Sequence, residues 1–233
     1  MCAHAGLITQ ILTAASIAGA AEAAPWTQAE GDWYGRALIA RDTLDGAEGW
    51  RADLYGEYGI SDRWTLTAKS EAVTYPDFSE FDREALRLSV RRQLLERGNW
   101  TLGAEAAVLD GSAATGLVNC EGFGAEARAG LGYSGHSKDG RPFYYFADAA
   151  LIRQQGGCER WRAEIGYGAD LTDRVFLTQQ IWIEEGNQSA SSIKTESQIG
   201  VHFGPVDVSL GYREETGGQF EETAVLIAVV ARR

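Results

Sequence analysis

Beyond residue 25 this 233-residue chain has no apolar run of the roughly 20 residues that a membrane-spanning helix needs. It is also poor in the side chains that carry catalysis and metal binding, with three cysteines and three histidines. Cys2 and His4 sit in an N-terminal apolar segment, which leaves Cys120, Cys158, His136 and His202. Their spacing suits no Cys/His metal cluster. No His is placed with a Ser and an orienting acid as nucleophilic hydrolysis requires. His136 falls in a connection beside Ser134 and Ser137. His202 stands on a strand between Gly200 and Gly204, an isolated histidine best read as structural. Gly-x-Gly patterns such as Gly130-Leu131-Gly132 lie inside extended segments, which excludes phosphate loops, and no motif calls for a cofactor. Positive charge is scarce as well. With 21 Lys and Arg against 33 Asp and Glu the net charge is −12, and no basic stripe exists for nucleic acid to follow.

What is present begins with an export signal. Ala5 to Ala20 is apolar and is followed by Ala21-Glu22-Ala23, a small-x-small cleavage pattern, so residues 1–23 read as a signal peptide and 24–233 as one domain. The segment departs from the usual form in carrying no Lys or Arg in Met1-Cys2-Ala3-His4. The second feature is an internal echo. Trp50-Arg51-Ala52-Asp53-Leu54 followed by Ile60-Ser61-Asp62-Arg63 returns as Trp161-Arg162-Ala163-Glu164-Ile165 followed by Leu171-Thr172-Asp173-Arg174. Two readings fit: duplication of a six-stranded half, or one turn recipe used twice, since Ser, Thr and Asp cap their own turns.

Past the signal, the chain alternates with period two in segments of about ten residues, which predicts an all-β, antiparallel protein. Segments fall near 33–43, 50–60, 64–74, 84–95, 100–110, 122–133, 143–153, 160–170, 174–185, 194–203, 206–216 and 221–231, about twelve strands. Trp161, Ala163, Ile165 and Tyr167 share one face, and Arg160, Arg162 and Glu164 the other. A mean hydropathy of −0.23 does not argue against a membrane, because barrel strands are half polar by construction. Tight turns such as Ser61-Asp62-Arg63 and Gly204-Pro205 alternate with longer connections at 75–83, 111–121 and 186–193. Ser134 to Pro142 is the exception, a long connection among the short ones. Aromatics collect at strand ends: Trp33, Tyr58, Trp64, Trp100, Tyr133, Phe143 and Phe203 toward one rim, and Trp50, Tyr75, Trp161, Trp182 and Tyr212 toward the other. Two girdles suit the two interfaces of a bilayer better than they suit a secreted sandwich.

In signal, alternating strands and hairpins such as Tyr58-Gly59-Ile60-Ser61-Asp62-Arg63-Trp64-Thr65-Leu66, the chain resembles the small outer-membrane β-barrel proteins of Gram-negative bacteria. The resemblance is one of pattern and covers nearly the whole chain past the signal. It implies a transmembrane barrel of about 12 strands, with outer-membrane lipid and lipopolysaccharide around it and the barrel-assembly machinery inserting it. Such proteins usually end in an aromatic residue, and this chain ends Ala231-Arg232-Arg233.

The alternation then assigns a lumen-facing set. Arg51, Lys69, Arg128, Arg160, Arg162, Lys194 and Arg213 face Asp53, Glu57, Glu71, Glu105, Glu126, Asp148, Glu164 and Glu196. Such a set either lines a narrow pore or braces the wall as an ion-pair network, because unpaired charge in a confined lumen is costly. Cys120 and Cys158 fall in connections on the same outer side and read as a disulfide in an exported chain, with two free thiols as the alternative. Acidic residues at Asp77, Glu80, Asp82, Glu184, Glu185, Glu214, Glu215, Glu221 and Glu222 are expected in outer loops, either simply solvated or bridged to lipopolysaccharide by divalent cations. Function is expected to be that of a narrow channel for small solutes. The alternatives are a plugged barrel serving envelope integrity or surface contact, a lipid-modifying enzyme, and a soluble lipocalin-like barrel.

Overall fold

The computed structural model describes residues 25–112, 120–188, 191–218 and 221–233; the expected signal, residues 1–23, lies outside them. Twelve strands follow in chain order: β1 Trp33–Leu44, β2 Ala47–Ser61, β3 Trp64–Thr74, β4 Arg83–Arg97, β5 Trp100–Gly111, β6 Gly124–His136, β7 Pro142–Gln154, β8 Cys158–Asp170, β9 Val175–Gly186, β10 Ser192–Phe203, β11 Val206–Glu215 and β12 Glu222–Arg232. Each pairs antiparallel with its chain neighbours, and β1 pairs with β12 to close the barrel. Closure matters because hydrocarbon offers no partner to an unpaired strand edge.

The period-two pattern turns the usual arrangement inside out. Every strand presents a large aliphatic side chain outward: Ile39, Leu54, Leu66, Leu88, Val108 and Leu131 on the first six, and Leu151, Ile165, Ile183, Ile199, Leu210 and Ile227 on the rest. The alternate positions are buried and carry Arg, Lys, Asp and Glu. Buried charge with exposed aliphatics is the informative inversion, since water-soluble domains almost never bury such residues in number. The solvent that suits this outer wall is lipid.

Connections differ between the two ends. At one end the turns are Asp62-Arg63, Gly98-Asn99, 137–141, 171–174 and Gly204-Pro205. At the other end the chain passes from β3 to β4, β5 to β6, β7 to β8, β9 to β10 and β11 to β12, together with one tight turn at Asp45-Gly46 between β1 and β2. By the usual asymmetry of these barrels the first, turn-rich end is periplasmic and the second is outward. Asp45 and Gly46 both take positive φ, 45° and 88°, the backbone of a two-residue hairpin turn. That turn carries β1 and β2 to Leu44 and Ala47, where the alternation alone ended them at 43 and 50. Two bulges interrupt the ladders, between Gly59 and Ser61 and between Gln93 and Leu95. The second lets Leu94 and Leu95 both face outward.

Two residues assigned to the outer girdle point inward instead. Tyr75 is fully buried: past the end of β3 the chain folds its ring over Gly49, against Leu44, Ala47 and Val73. Trp182 shares parity with Gln180 and Glu184 on β9 and lies in the lumen under the Arg213 guanidinium, 5.3 Å from its ring centroid. Trp33, Tyr58, Trp64 and Trp100 at the periplasmic rim, and Trp50, Trp161 and Tyr212 at the outer one, are exposed as a girdle requires. The Cys120–Cys158 disulfide is formed, with Cα atoms 5.5 Å apart, tying the β5–β6 connection to the first residue of β8.

Candidate functional site: the charged lumen

All fifteen lumen candidates, from Arg51 to Arg213, face inward and each stands in an ion pair. The pairs form tiers along the barrel axis. Nearest the outside, Arg51 donates Nε to Asp42 at 2.9 Å, Nη1 to Glu71 at 2.6 Å and Nη2 to Glu222 at 2.7 Å. Glu222 also accepts from Lys194 at 2.9 Å and lies 3.6 Å from Arg83, while Lys194 reaches Glu215 at 3.0 Å. Beside them Glu184 pairs with both Arg160 and Arg162.

At mid-barrel Asp53 joins Arg36 at 2.9 Å to Lys69 at 3.0 Å, and Lys69 continues to Glu71 at 3.3 Å. Arg87 bridges Glu105 and Glu126 at 2.5 and 2.9 Å. Arg128 takes Glu126 and Asp148 at 2.9 Å and Glu164 at 3.6 Å, and Arg213 holds Glu196 at 2.6 Å. Toward the periplasm Arg91 donates to Glu105 at 2.7 Å, Glu57 at 2.8 Å and the Tyr55 hydroxyl at 3.1 Å. Arg232 holds Asp207 at 2.6 Å.

Parity alone could have found Arg36, Asp42, Arg83, Arg87, Arg91 and Asp207. On β1 and β12, however, both faces are apolar at mid-strand, and the contrast that marks an inner face is weak there. Glu184, Glu215 and Glu222 correct the expectation of acidic outer loops. They stand at inward parity near the strand ends, so these three carboxylates are buried in the lumen while Glu185 and Glu221 stay exposed. His202 is not isolated. Its Nδ1 lies 2.6 Å from Asp207, its Nε2 3.2 Å from Asp170, and its ring stacks on Phe176.

Among the spaces the network leaves are a central and an outer chamber of about 80 Å³ each. Each has room for a few waters. The outer chamber lies under Asp110, Gly111 and Ser112 and shares Lys69, Glu71, Arg87, Glu126 and Arg162 with the central one. The central wall has a sign. Arg36, Arg51, Lys69, Arg87, Arg128, Arg162, Lys194 and Arg213 line it against Glu71, Glu126, Glu164 and Glu196, whereas Asp42, Asp53, Glu105, Asp148, Glu184, Glu215 and Glu222 pair from behind. No group of three or more His, Cys, Asp or Glu among the described residues could hold a metal ion.

A closed antiparallel barrel with a lipid-facing aliphatic wall, aromatic rims and a charged interior is an outer-membrane β-barrel. Solved structures agree on the fold. The NanC porin superimposes with a TM-score of 0.63 at 11% identity over 84% of this chain and 98% of that one. The KdgM porin does so with 0.58 at 5% over 83% and 97%, and LpxR from Salmonella typhimurium with 0.55 at 8% over 85% and 99%. No protein-family model and no curated protein matches the sequence.

Proposed function

We propose that this barrel is a narrow outer-membrane channel for small solutes and that its central chamber favours anions. The observation that carries the reading is the wall chemistry of that chamber, eight cations facing inward against four carboxylates in a network that is nearly neutral as a whole. Fixed charge of one sign at a constriction selects for the opposite sign in the permeant. The porin neighbours support passage of small solutes, and KdgM has been solved with oligogalacturonate. A second reading, a non-conducting barrel for envelope integrity or surface contact, draws on the tightness of the ion-pair tiers. A lipid-modifying enzyme is the weakest reading. LpxR shares the fold, but of the described histidines His136 ends β6 and His202 is held between two aspartates and Phe176. In the outer membrane the acidic loop end would face lipopolysaccharide, and insertion would use the barrel-assembly machinery.

The test is single-channel recording of the refolded protein under a KCl gradient. Steps with a reversal potential on the chloride side support the reading, and Lys69→Gln and Arg162→Gln should shift that potential toward zero. A protein that inserts and stays silent, including after its periplasmic mouth has been cleared, supports the second reading instead.

A further inference from the structure

Residues 25–30 precede β1 and belong to no strand, yet they reach into the barrel mouth: Pro25 is buried, Trp26 to Gln28 are half-buried, and Ala29 and Glu30 stay exposed at the rim. Gly31, with φ of +81°, turns the chain inward; its N–H donates to the Gly59 carbonyl while the Gly59 N–H donates to the Asp32 carbonyl, which pins the base of the segment to β2. From there the segment crosses the periplasmic mouth to β7. Gln28 donates its backbone N–H to Thr65 at 2.8 Å and its side-chain amide to Glu57 at 2.5 Å. Arg91 donates to the Trp26 carbonyl at 3.1 Å, and the Trp26 indole meets the Tyr144 ring edge-on at 5.7 Å between centroids.

The wall under the segment lacks side chains where the segment lies. A Cβ on Gly103 would stand 2.5 Å from the Pro25 carbonyl oxygen, one on Gly132 would stand 2.5 Å from the Trp26 ring, and one on Gly59 would collide with the Ala29 carbonyl. Around the rest of the mouth, strand glycines are covered differently: Phe146 lies over Gly166, Tyr144 over Gly168 and Phe176 over Gly200. Half of this mouth is therefore filled by rings that belong to the wall, and the other half by a separate piece of chain. That piece makes no ladder bonds, and its buried indole N–H has no hydrogen-bond partner.

We infer that the glycine-floored groove from β2 to β7 is a peptide-binding site, occupied by the chain's own residues 25–30, and that its occupancy closes the periplasmic mouth. The ligand class is a short extended peptide led by Pro–aromatic and followed by small polar residues. The closing role rests on the channel reading above, while the binding role does not. The decisive comparison is between the full chain and a full-chain variant with residues 25–30 replaced by a glycine–serine run of equal length, both refolded into vesicles and checked by heat-modifiable gel migration. A fluorescent Pro-Trp-Thr-Gln-Ala-Glu peptide is titrated against each by anisotropy and then added during bilayer recording. The expected result is saturable binding to the replaced variant, lost when the peptide's tryptophan is alanine and absent in the parent, with a several-fold larger conductance that the peptide reverses. Gly103→Leu with Gly132→Leu fills the groove from the wall and should raise conductance while taking up no peptide. Absence of binding together with unchanged conductance overturns the inference. Binding with unchanged conductance in a conducting barrel overturns the closing role, and binding in a barrel that is silent with and without the segment overturns the channel reading and leaves the site standing.

Discussion

The ion-pair tiers and the periplasmic mouth fill the same cylinder by different physics. In the tiers the filling is part of the wall: Arg51 alone satisfies three carboxylates from β1, β3 and β12. At the mouth, half of the filling is a tethered segment held by a handful of hydrogen bonds over bare glycines. A buried charge cannot leave without stranding its partners, whereas a segment that rests on glycine strands little when it goes. Permanence in the lumen thus follows from whether the filler is compensated charge or laid-in backbone.

The sharpest way to break this contrast is at Arg51. Arg51→Met would leave Asp42, Glu71 and Glu222 without their shared cation, and removing one partner of a buried network costs about 3–5 kcal/mol. Urea unfolding in vesicles should show a loss of that size, partly recovered when Glu71 and Glu222 are made Gln. Next comes the outer wall, which both regions need. Ile165→Arg or Leu210→Arg places a cation against hydrocarbon at a cost of about 2–4 kcal/mol near the midplane, read as a lower folded yield in lipid. Cys120→Ser with Cys158→Ser opens a cross-link worth about 2–4 kcal/mol, and the parent should run faster on non-reducing than on reducing gels. Smallest is Gln28→Ala, which removes a segment bond and should cost only about 1 kcal/mol. A loss at Gln28 as large as that at Arg51 would erase the distinction between fixed and removable filling.

Much of the barrel was legible in the sequence because a strand's inner and outer faces differ by one residue of parity. Arg160, Arg162 and Glu164 on β8 are unmistakable for that reason. Where both faces are apolar, as around Leu38 and Ala40 on β1, parity is silent, and Arg36 and Asp42 went unassigned. At the outer strand ends paired acids hide the parity. Glu184, Glu215 and Glu222 fall within the expected strands, but each stands beside a second carboxylate, Glu185, Glu214 or Glu221, so inner and outer positions look alike there. The seating of residues 25–30 had no periodic signature at all. Its trace in the sequence is the set of strand glycines at 59, 103 and 132, whose bareness has meaning only once something is seen to lie on them.

The apolar inner face around the β1–β12 junction has a consequence for assembly. Leu38 sits opposite Ala228 and Ala40 opposite Leu226, so the mid-strand contacts across this junction carry no charge. These are also the two strands furthest apart in the chain, and their meeting is the most non-local event in folding. A junction dressed in Leu and Ala can zip shut, slip and re-zip on ladder bonds alone, without waiting for ions to find their mates. Charge joins the junction near its outer end, where Arg51 of β2 links Asp42 of β1 to Glu222 of β12.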